Sequence, residues 1–257
     1  MSGFCSLQGK RGLVVGIANE SSIAYACARE FRALGADLAV TYLNEKARPH
    51  VEPLATGLGC DLLMPCDVRV QGELESLFAA VEQRWGGLDF LLHSIAFAPR
   101  EDLQGRVVDC SQAGFLTAMD VSCHSFIRMA RLAEPLMHRG GTLLTVSFYG
   151  AEKVVGDYNL MGPVKAALEA SVRYMAAELG ASGIRVHALS PGPLRTRAAS
   201  GISRFDELME RARERAPQYQ LADIADVGAT AAFLVSDRAR TLTGNITYVD
   251  AGYHVVG

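Results

Sequence analysis

The chain has 257 residues, of which 49% are apolar and 21% charged, enough hydrophobic material for a large core and too much for a disordered chain. Its 25 basic and 28 acidic side chains leave a formal charge of -3, which excludes a surface built to neutralise many phosphates of a nucleic acid. Six scattered cysteines without a C-x-x-C pair, and no apolar run of membrane-spanning length or signal-peptide order near the N-terminus, point to a reduced, cytoplasmic protein. No membrane, nucleic-acid or metal partner is expected.

Short apolar runs alternate with longer amphipathic ones along the chain. Strands are expected at Gly12 to Val15, Asp37 to Tyr42, Asp61 to Met64, Asp89 to His93, Gly141 to Ser147, Arg185 to Leu189 and Thr247 to Val249, each brief and bounded by Gly, Asp or Pro. Between them, Ile23, Cys27 and Phe31 share one helical face, as do Leu74, Leu77, Phe78, Val81 and Trp85. The runs Phe115 to Met137 and Tyr158 to Leu179 read as helices as well. Strands alternating with helices predict an α/β fold: one Rossmann-type, doubly wound domain over residues 1–257, with a seven-stranded parallel sheet. The rhythm breaks at about residues 191–225, where a substrate-loop helical insertion is expected at the carboxyl end of the sheet.

Four strand ends carry candidate chemistry. The first runs through Gly16 to Ser22 and Ile23 into a helix, where small residues and free helix amides suit a pyrophosphate. An ordinary capped turn would look the same, and the full G-x-G-x-x-G pattern is absent. Asp67 and Val68 follow the third strand, and Ser94, Ile95 and Ala96 follow the fourth, where a ligand of such a sheet binds. His93 reads as a hydrogen-bonded core residue. Tyr158 and Lys165 stand seven residues apart, about two helical turns, so that a cation beside a phenol would lower its pKa and make a proton donor.

The Tyr-x6-Lys pair, Asp67-Val68 and the closing Val249-Asp250-Ala251-Gly252 resemble the short-chain dehydrogenase/reductase superfamily over essentially the whole chain. More narrowly, Gly16-x5-Ser22-x-Ala24, His93 to Pro99, Tyr158-Asn159-Leu160-Met161-Gly162 and Pro193 to Ile202 resemble the bacterial enoyl-acyl carrier protein reductases. The resemblance implies that Gly16, Ser22 and Ile23 hold a dinucleotide pyrophosphate and ribose, Asp67 and Val68 the adenine, Ile95 the adenosine side and Lys165 the nicotinamide ribose. Leu194 and Thr196 would flank nicotinamide and pyrophosphate. Ala98, Tyr158, Met161, Ala198, Ala199, Ile202 and Phe205 would line an acyl pocket.

Two departures stand out. Relatives carry a tyrosine directly after the serine that ends strand five, whereas this chain reads Ser147-Phe148-Tyr149, so Tyr149, one place late, is expected as a pocket residue. Leu43, at the end of strand two, stands where relatives place a polar or basic residue beside the adenine ribose. With Leu43, Asn44 and Glu45 ahead of Lys46, NADH is expected over NADPH.

The implied reaction is hydride transfer from a nicotinamide to the β-carbon of a trans-2-enoyl thioester in fatty acid biosynthesis. Tyr158 and Lys165 would be the catalytic pair and the acyl carrier protein the partner, with a homotetramer as the implied assembly. The loop from Leu194 to Phe205 would close over the acyl chain. Arg195, Arg197, Arg204, Arg211, Arg213 and Arg215 could offer a basic surface for an acidic carrier, but with Glu207, Glu210 and Glu214 interspersed most of them read as a solvated helix face. Rival readings are a short-chain enzyme acting on a carbonyl or alcohol, an enoyl reductase of specialised metabolism, and a non-catalytic cofactor sensor, whose mark would be loss of Tyr158 or Lys165.

Overall fold

A computed structural model describes residues 5–196 and 204–256. Its seven strands are β1 (Arg11–Val15), β2 (Asp37–Tyr42), β3 (Leu62–Pro65), β4 (Phe90–His93), β5 (Gly141–Val146), β6 (Ile184–Pro191) and β7 (Ile246–Val249). All pair in parallel, in the order β3-β2-β1-β4-β5-β6-β7. The expected strands are all present with bounds moved by a residue or so. β6 grows most, because it is paired on both sides and its backbone stays committed as far as Pro191.

The helices are α1 (Ile23–Ala33), α2 (Arg48–Gly57), α3 (Glu73–Trp85), α4 (Arg100–Leu103), α5 (Gln112–Met119), α6 (Ser125–Ala133), α7 (Met161–Leu179), α8 (Phe205–Arg215) and α9 (Ile224–Val235). Adjacent strand residues point to opposite faces, so a sheet covered on both sides must be apolar at every position. Val14, Leu92 and Leu144 accordingly pack with Phe31 of α1 and Val227 and Ala231 of α9. Their neighbours Leu13, Leu91 and Leu143 pack on the other side with Leu77 and Phe78 of α3, Phe126 of α6 and Leu168 of α7.

The run Phe115 to Met137 is not one helix. A π-helical turn at Asp120–His124 separates α5 from α6. Its residues bond outside the regular ladder: Ser122 Oγ accepts from the Phe97 N–H (2.9 Å) and donates to the Phe97 carbonyl (3.1 Å). Such bulges concentrate near functional sites, and this one fastens the segment after β4. α7 starts at Met161, so Tyr158 precedes it; Asp157 and Asn159 on either side have left-handed backbone (φ 63 and 43). The expected insertion contains α8, whose N-cap Arg204 is also left-handed.

Candidate active site

The strand order reverses between β1 and β4, and the carboxyl ends of the strands there open a crevice. A cavity of about 410 Å³ occupies it. Ile23 at the start of α1, Ser94 to Ala98 after β4, Val146 to Phe148 at the end of β5, and Pro191 to Leu194 and Thr196 after β6 form its walls. Leu103, Tyr158, Met161, Lys165 and Phe205 complete them.

Tyr158 is nearly buried, its ring edge-on to Phe148 with centroids 4.7 Å apart. Gly150 lies beneath it; a β-carbon there would come within 2.4 Å of the Tyr158 ring. Seating the phenol therefore depends on a glycine that no helical or strand pattern marks in the sequence. A turn, rather than two turns of one helix, delivers Tyr158 to the cavity that Lys165 enters from α7.

The expected pKa relation between the pair is corrected. Burial, with the negative charge of Glu169 adding to it, pushes the Tyr158 phenol above its ordinary value, and no lowering by Lys165 opposes this. Lys165 Nζ instead donates to the Val146 carbonyl at 2.6 Å, and burial pushes its ammonium down to about 8. Tyr158 is thus a neutral, protonated phenol over the whole physiological range. Such a group donates a hydrogen bond to an oxygen that gains charge.

His93 is a core residue, as expected. Ser125 Oγ donates to the Val121 carbonyl at 2.6 Å, so its one proton is spent and it must accept from His93 Nε2–H (2.8 Å). His93 Nδ1 then accepts from Thr145 Oγ, also at 2.8 Å. Burial pushes this imidazole down to about 3, so it stays neutral.

The cofactor-side residues line up along the same sheet edge. Gly16 directly follows β1 with φ +116, and a β-carbon there would lie 2.1 Å from the Ser94 carbonyl oxygen. Only glycine lets these two strand ends pass, leaving a cradle before α1. Ser22 makes no cap bond to α1; its hydroxyl donates to the Asn19 carbonyl (2.5 Å) and accepts weakly from Ala18 N–H (3.4 Å). It shapes the turn, and the first-turn amides of α1 have no side-chain cap between them and the cavity. That arrangement fits a dinucleotide phosphate.

Asp67 carries a tight contact with Arg69, both backbone (3.0 Å) and guanidinium (2.7 Å), and Arg69 holds its carboxyl below the usual range. The same guanidinium lies over the ring of Phe97. Val68 is buried in the core beside α3. Leu43 is half exposed at the end of β2. Gly16, Ser22, Leu43, Asp67 and Val68 do not line the cavity itself; they lie at or toward the β1–β3 side of the strand-end edge.

Tyr149 is not brought to the cavity. It is buried against Tyr253 and Tyr248, and Phe148 lines the wall in its place, because consecutive residues leaving a strand face opposite ways. Of the remaining pocket residues, Ala98, Met161 and Phe205 line the cavity. Ala198, Ala199, Ile202 and Arg197 lie outside the described residues. Three of the expected surface arginines are in ion pairs, Arg195 with Asp206 (2.8 Å), Arg204 with Asp157 (2.9 Å) and Arg211 with Glu207 (3.6 Å), which matches the solvated-face reading. Sequence reasoning missed Phe97, Leu103, Ser147 and Gly192 as site residues; of these only Ser147 had a signal, its place at a strand's carboxyl end.

A family model described as enoyl-(acyl carrier protein) reductase matches residues 16–254. The chain belongs to this family. It is 47% identical over 252 residues to the NADH enoyl-[acyl-carrier-protein] reductase of Aquifex aeolicus, covering 98% of this chain and 93% of that one. Enoyl-[acyl-carrier-protein] reductase [NADH] 1 of Rhizobium meliloti is 44% identical, with 98% and 92% covered. Among solved structures, the Anaplasma phagocytophilum reductase in complex with NAD superposes with TM-score 0.94 at 47% identity (98% and 96% covered). The Bacillus cereus reductase with NADP+ and indole naphthyridinone gives 0.95 at 45% (98% of both chains).

Within the described residues no helix is long and apolar enough to cross a membrane, and no His/Cys/Asp/Glu group could hold a metal ion.

Proposed function

We propose that this chain reduces the trans-2 double bond of an enoyl thioester carried on acyl carrier protein, as the reductive step of fatty acid elongation, with NADH. The observation that carries the reading is a protonated, buried Tyr158 sharing one cavity with Lys165 and with the uncapped N-terminal turn of α1. A bound reduced nicotinamide supplies a hydride to the β-carbon of the conjugated thioester. The chain's residues then answer the charge that gathers on the thioester oxygen, until a proton from solvent reaches the α-carbon and completes the reduction. The nearly buried Tyr158 O–H donates to that oxygen, and a donor withdrawn from water is worth more there than in bulk solvent. Lys165, fixed by the Val146 carbonyl, presents its remaining N–H donors to the cofactor's ribose. Phe97, Ala98, Phe148, Met161 and Phe205 offer the apolar walls an acyl chain needs.

The candidate residues outside the cavity belong to this reading on the family resemblance: Gly16, Ser22 and Leu43 with Asp67 and Val68 toward the adenosine, and Ala198, Ala199 and Ile202 toward the acyl chain. So do a single domain with its substrate loop at 191–225, a homotetramer and a cytoplasmic location, which six free thiols fit. The NADH assignment is supported by the relatives from Aquifex aeolicus and Rhizobium meliloti, which are named NADH enoyl-[acyl-carrier-protein] reductases. The test is NADH oxidation with trans-2-enoyl and 3-ketoacyl thioesters side by side. Turnover confined to the enoyl substrate is expected; turnover confined to the ketoacyl substrate sinks the proposal in favour of a carbonyl reductase.

A further inference from the structure

Lys165 has a companion on α7. Glu169 lies one helical turn on, and both residues are buried. Lys165 Nζ donates to the Val146 carbonyl at 2.6 Å, while Ser147 Oγ donates to Glu169 Oε1 at 2.5 Å. One turn of helix therefore grips two consecutive residues at the wall of the cavity, one with a cation and one with a carboxylate. The Ser147 N–H is held as well, donating to the Leu189 carbonyl of β6 at 2.7 Å. The next residue is Phe148, whose ring stands edge-on to Tyr158.

A buried carboxylate is costly unless its charge is answered. Glu169 faces Ser147 just after β5, Arg173 and Lys165 on its own helix, the Tyr158 phenol before α7 and the Tyr248 phenol of β7; against the cations stands the like charge of Glu152, from the turn after β5, which accepts from the Tyr248 phenol. Burial pushes the Glu169 carboxyl up, and Ser147, Arg173 and Lys165 oppose it. Lys165 in turn faces Cys123 of the π turn and His93 of β4. Burial raises the Cys123 thiol and keeps His93 neutral, so neither carries charge at neutral pH. Cys123 and then Glu169 oppose the effect of burial on Lys165, and of the two Glu169, one turn along the same helix, is the group that carries a charge.

We propose that Glu169 is a positioning residue of the reductase site: through Ser147 it fixes the end of β5 beside Tyr158, and through its charge it keeps Lys165 cationic. The role rests on reading Lys165 as the group that holds the nicotinamide ribose. Its consequence is a basic limb in the pH profile, because Lys165 already sits near 8 and less support moves its loss of charge to lower pH.

The test measures NADH affinity by fluorescence from pH 6 to 9, together with kcat/KM for an enoyl thioester, in wild-type protein and in Glu169→Gln, Glu169→Asp and Ser147→Ala. Glu169→Gln, which can still accept from Ser147, is expected to match wild type within about 2-fold at pH 6.5 and to fall about 2.5-fold or more behind at pH 8.5, since lowering a pKa of about 8 by half a unit cuts the ammonium fraction there about 2.6-fold. Glu169→Asp should restore the wild-type limb. Ser147→Ala should keep the limb and lower kcat.

A Glu169→Gln profile that superimposes on wild type, or a deficit equal at every pH, overturns the proposal. Should the Gln variant not fold, wild-type kcat in Ser147→Ala overturns it. Wild-type protein that bound no NADH would overturn the reading of Lys165 and this role with it, whereas an unchanged profile in a Gln variant that binds NADH overturns this role alone.

Discussion

Tyr158 and the end of β2 are where single side chains decide the chemistry. Because Tyr158 is a neutral donor whose only polar atom is its hydroxyl, Tyr158→Phe removes one hydrogen bond to a developing charge and little else. Turnover should fall by about 10²-fold or more, roughly 3 kcal/mol, with NADH affinity within about 2-fold of wild type. Unchanged turnover in that variant would remove the phenol from the reaction. At the adenosine end, a 2′-phosphate needs an uncommitted cation. Arg48 is shared between Glu52 (3.2 Å) and Glu45 (3.7 Å), and Glu45 also accepts from the Tyr42 phenol at 3.0 Å. Asn44 Oδ1 turns back to accept from the Lys46 and Ala47 N–H groups, both at 3.1 Å. NADH should therefore be preferred, Leu43→Arg should shift the ratio of the two cofactors' Kd values toward NADPH, and Lys46→Ala should leave it unchanged. A wild-type preference for NADPH that vanished in Lys46→Ala would make Lys46 a phosphate clamp instead.

The strand-to-helix turns set what those side chains meet. Gly16→Ala must push its β-carbon away from the Ser94 carbonyl, 2.1 Å off, in a backbone conformation that alanine avoids. Lower Tm and NADH binding weakened about 10-fold or more are expected. Gly57→Ala at the end of α2, with nothing within 4 Å of its β-carbon, is the control and should leave NADH binding alone; equal effects of the two would show that the turn is not the binding element. Strands were readable because both sheet faces are buried, so short apolar runs stood out against charged helices. The run Phe115 to Met137 reads as one helix because a π turn keeps much the same apolar spacing while its Ser122 hydroxyl bonds to a segment 25 residues away, at Phe97. Tyr158 and Lys165 were legible as a pair by spacing, but not the turn that presents the phenol. Nor was Glu169, a helix glutamate like any other until Ser147 is placed against it. Tyr149 reads as a pocket residue and is not one, because a residue's face at a strand end depends on where the strand stops.

For the whole molecule, the two buried histidines link stability to pH. His93 is pushed down to about 3 and His187 to about 4, both chiefly by burial, below the ordinary value of 6.5. The unfolded chain therefore binds protons between these values that the folded chain does not. Stability from these groups is fully present above pH 6.5 and is lost as pH falls toward 4, at a limiting slope of about 1.4 kcal/mol per pH unit for each imidazole. Thermal melts should show Tm falling steadily from pH 7 to 4.5; a flat Tm would mean that one or both rings gain a charge partner in the fold. The assignment of the whole protein rests on where the hydride goes. Deuterium-labelled NADH, incubated with the intact chain and a trans-2-enoyl thioester in ordinary water, should yield a saturated thioester with the label on its β-carbon, read by mass spectrometry. An unlabelled, unreduced enoyl thioester, alongside label appearing on the carbinol carbon when a 3-ketoacyl thioester is offered, would contradict the account.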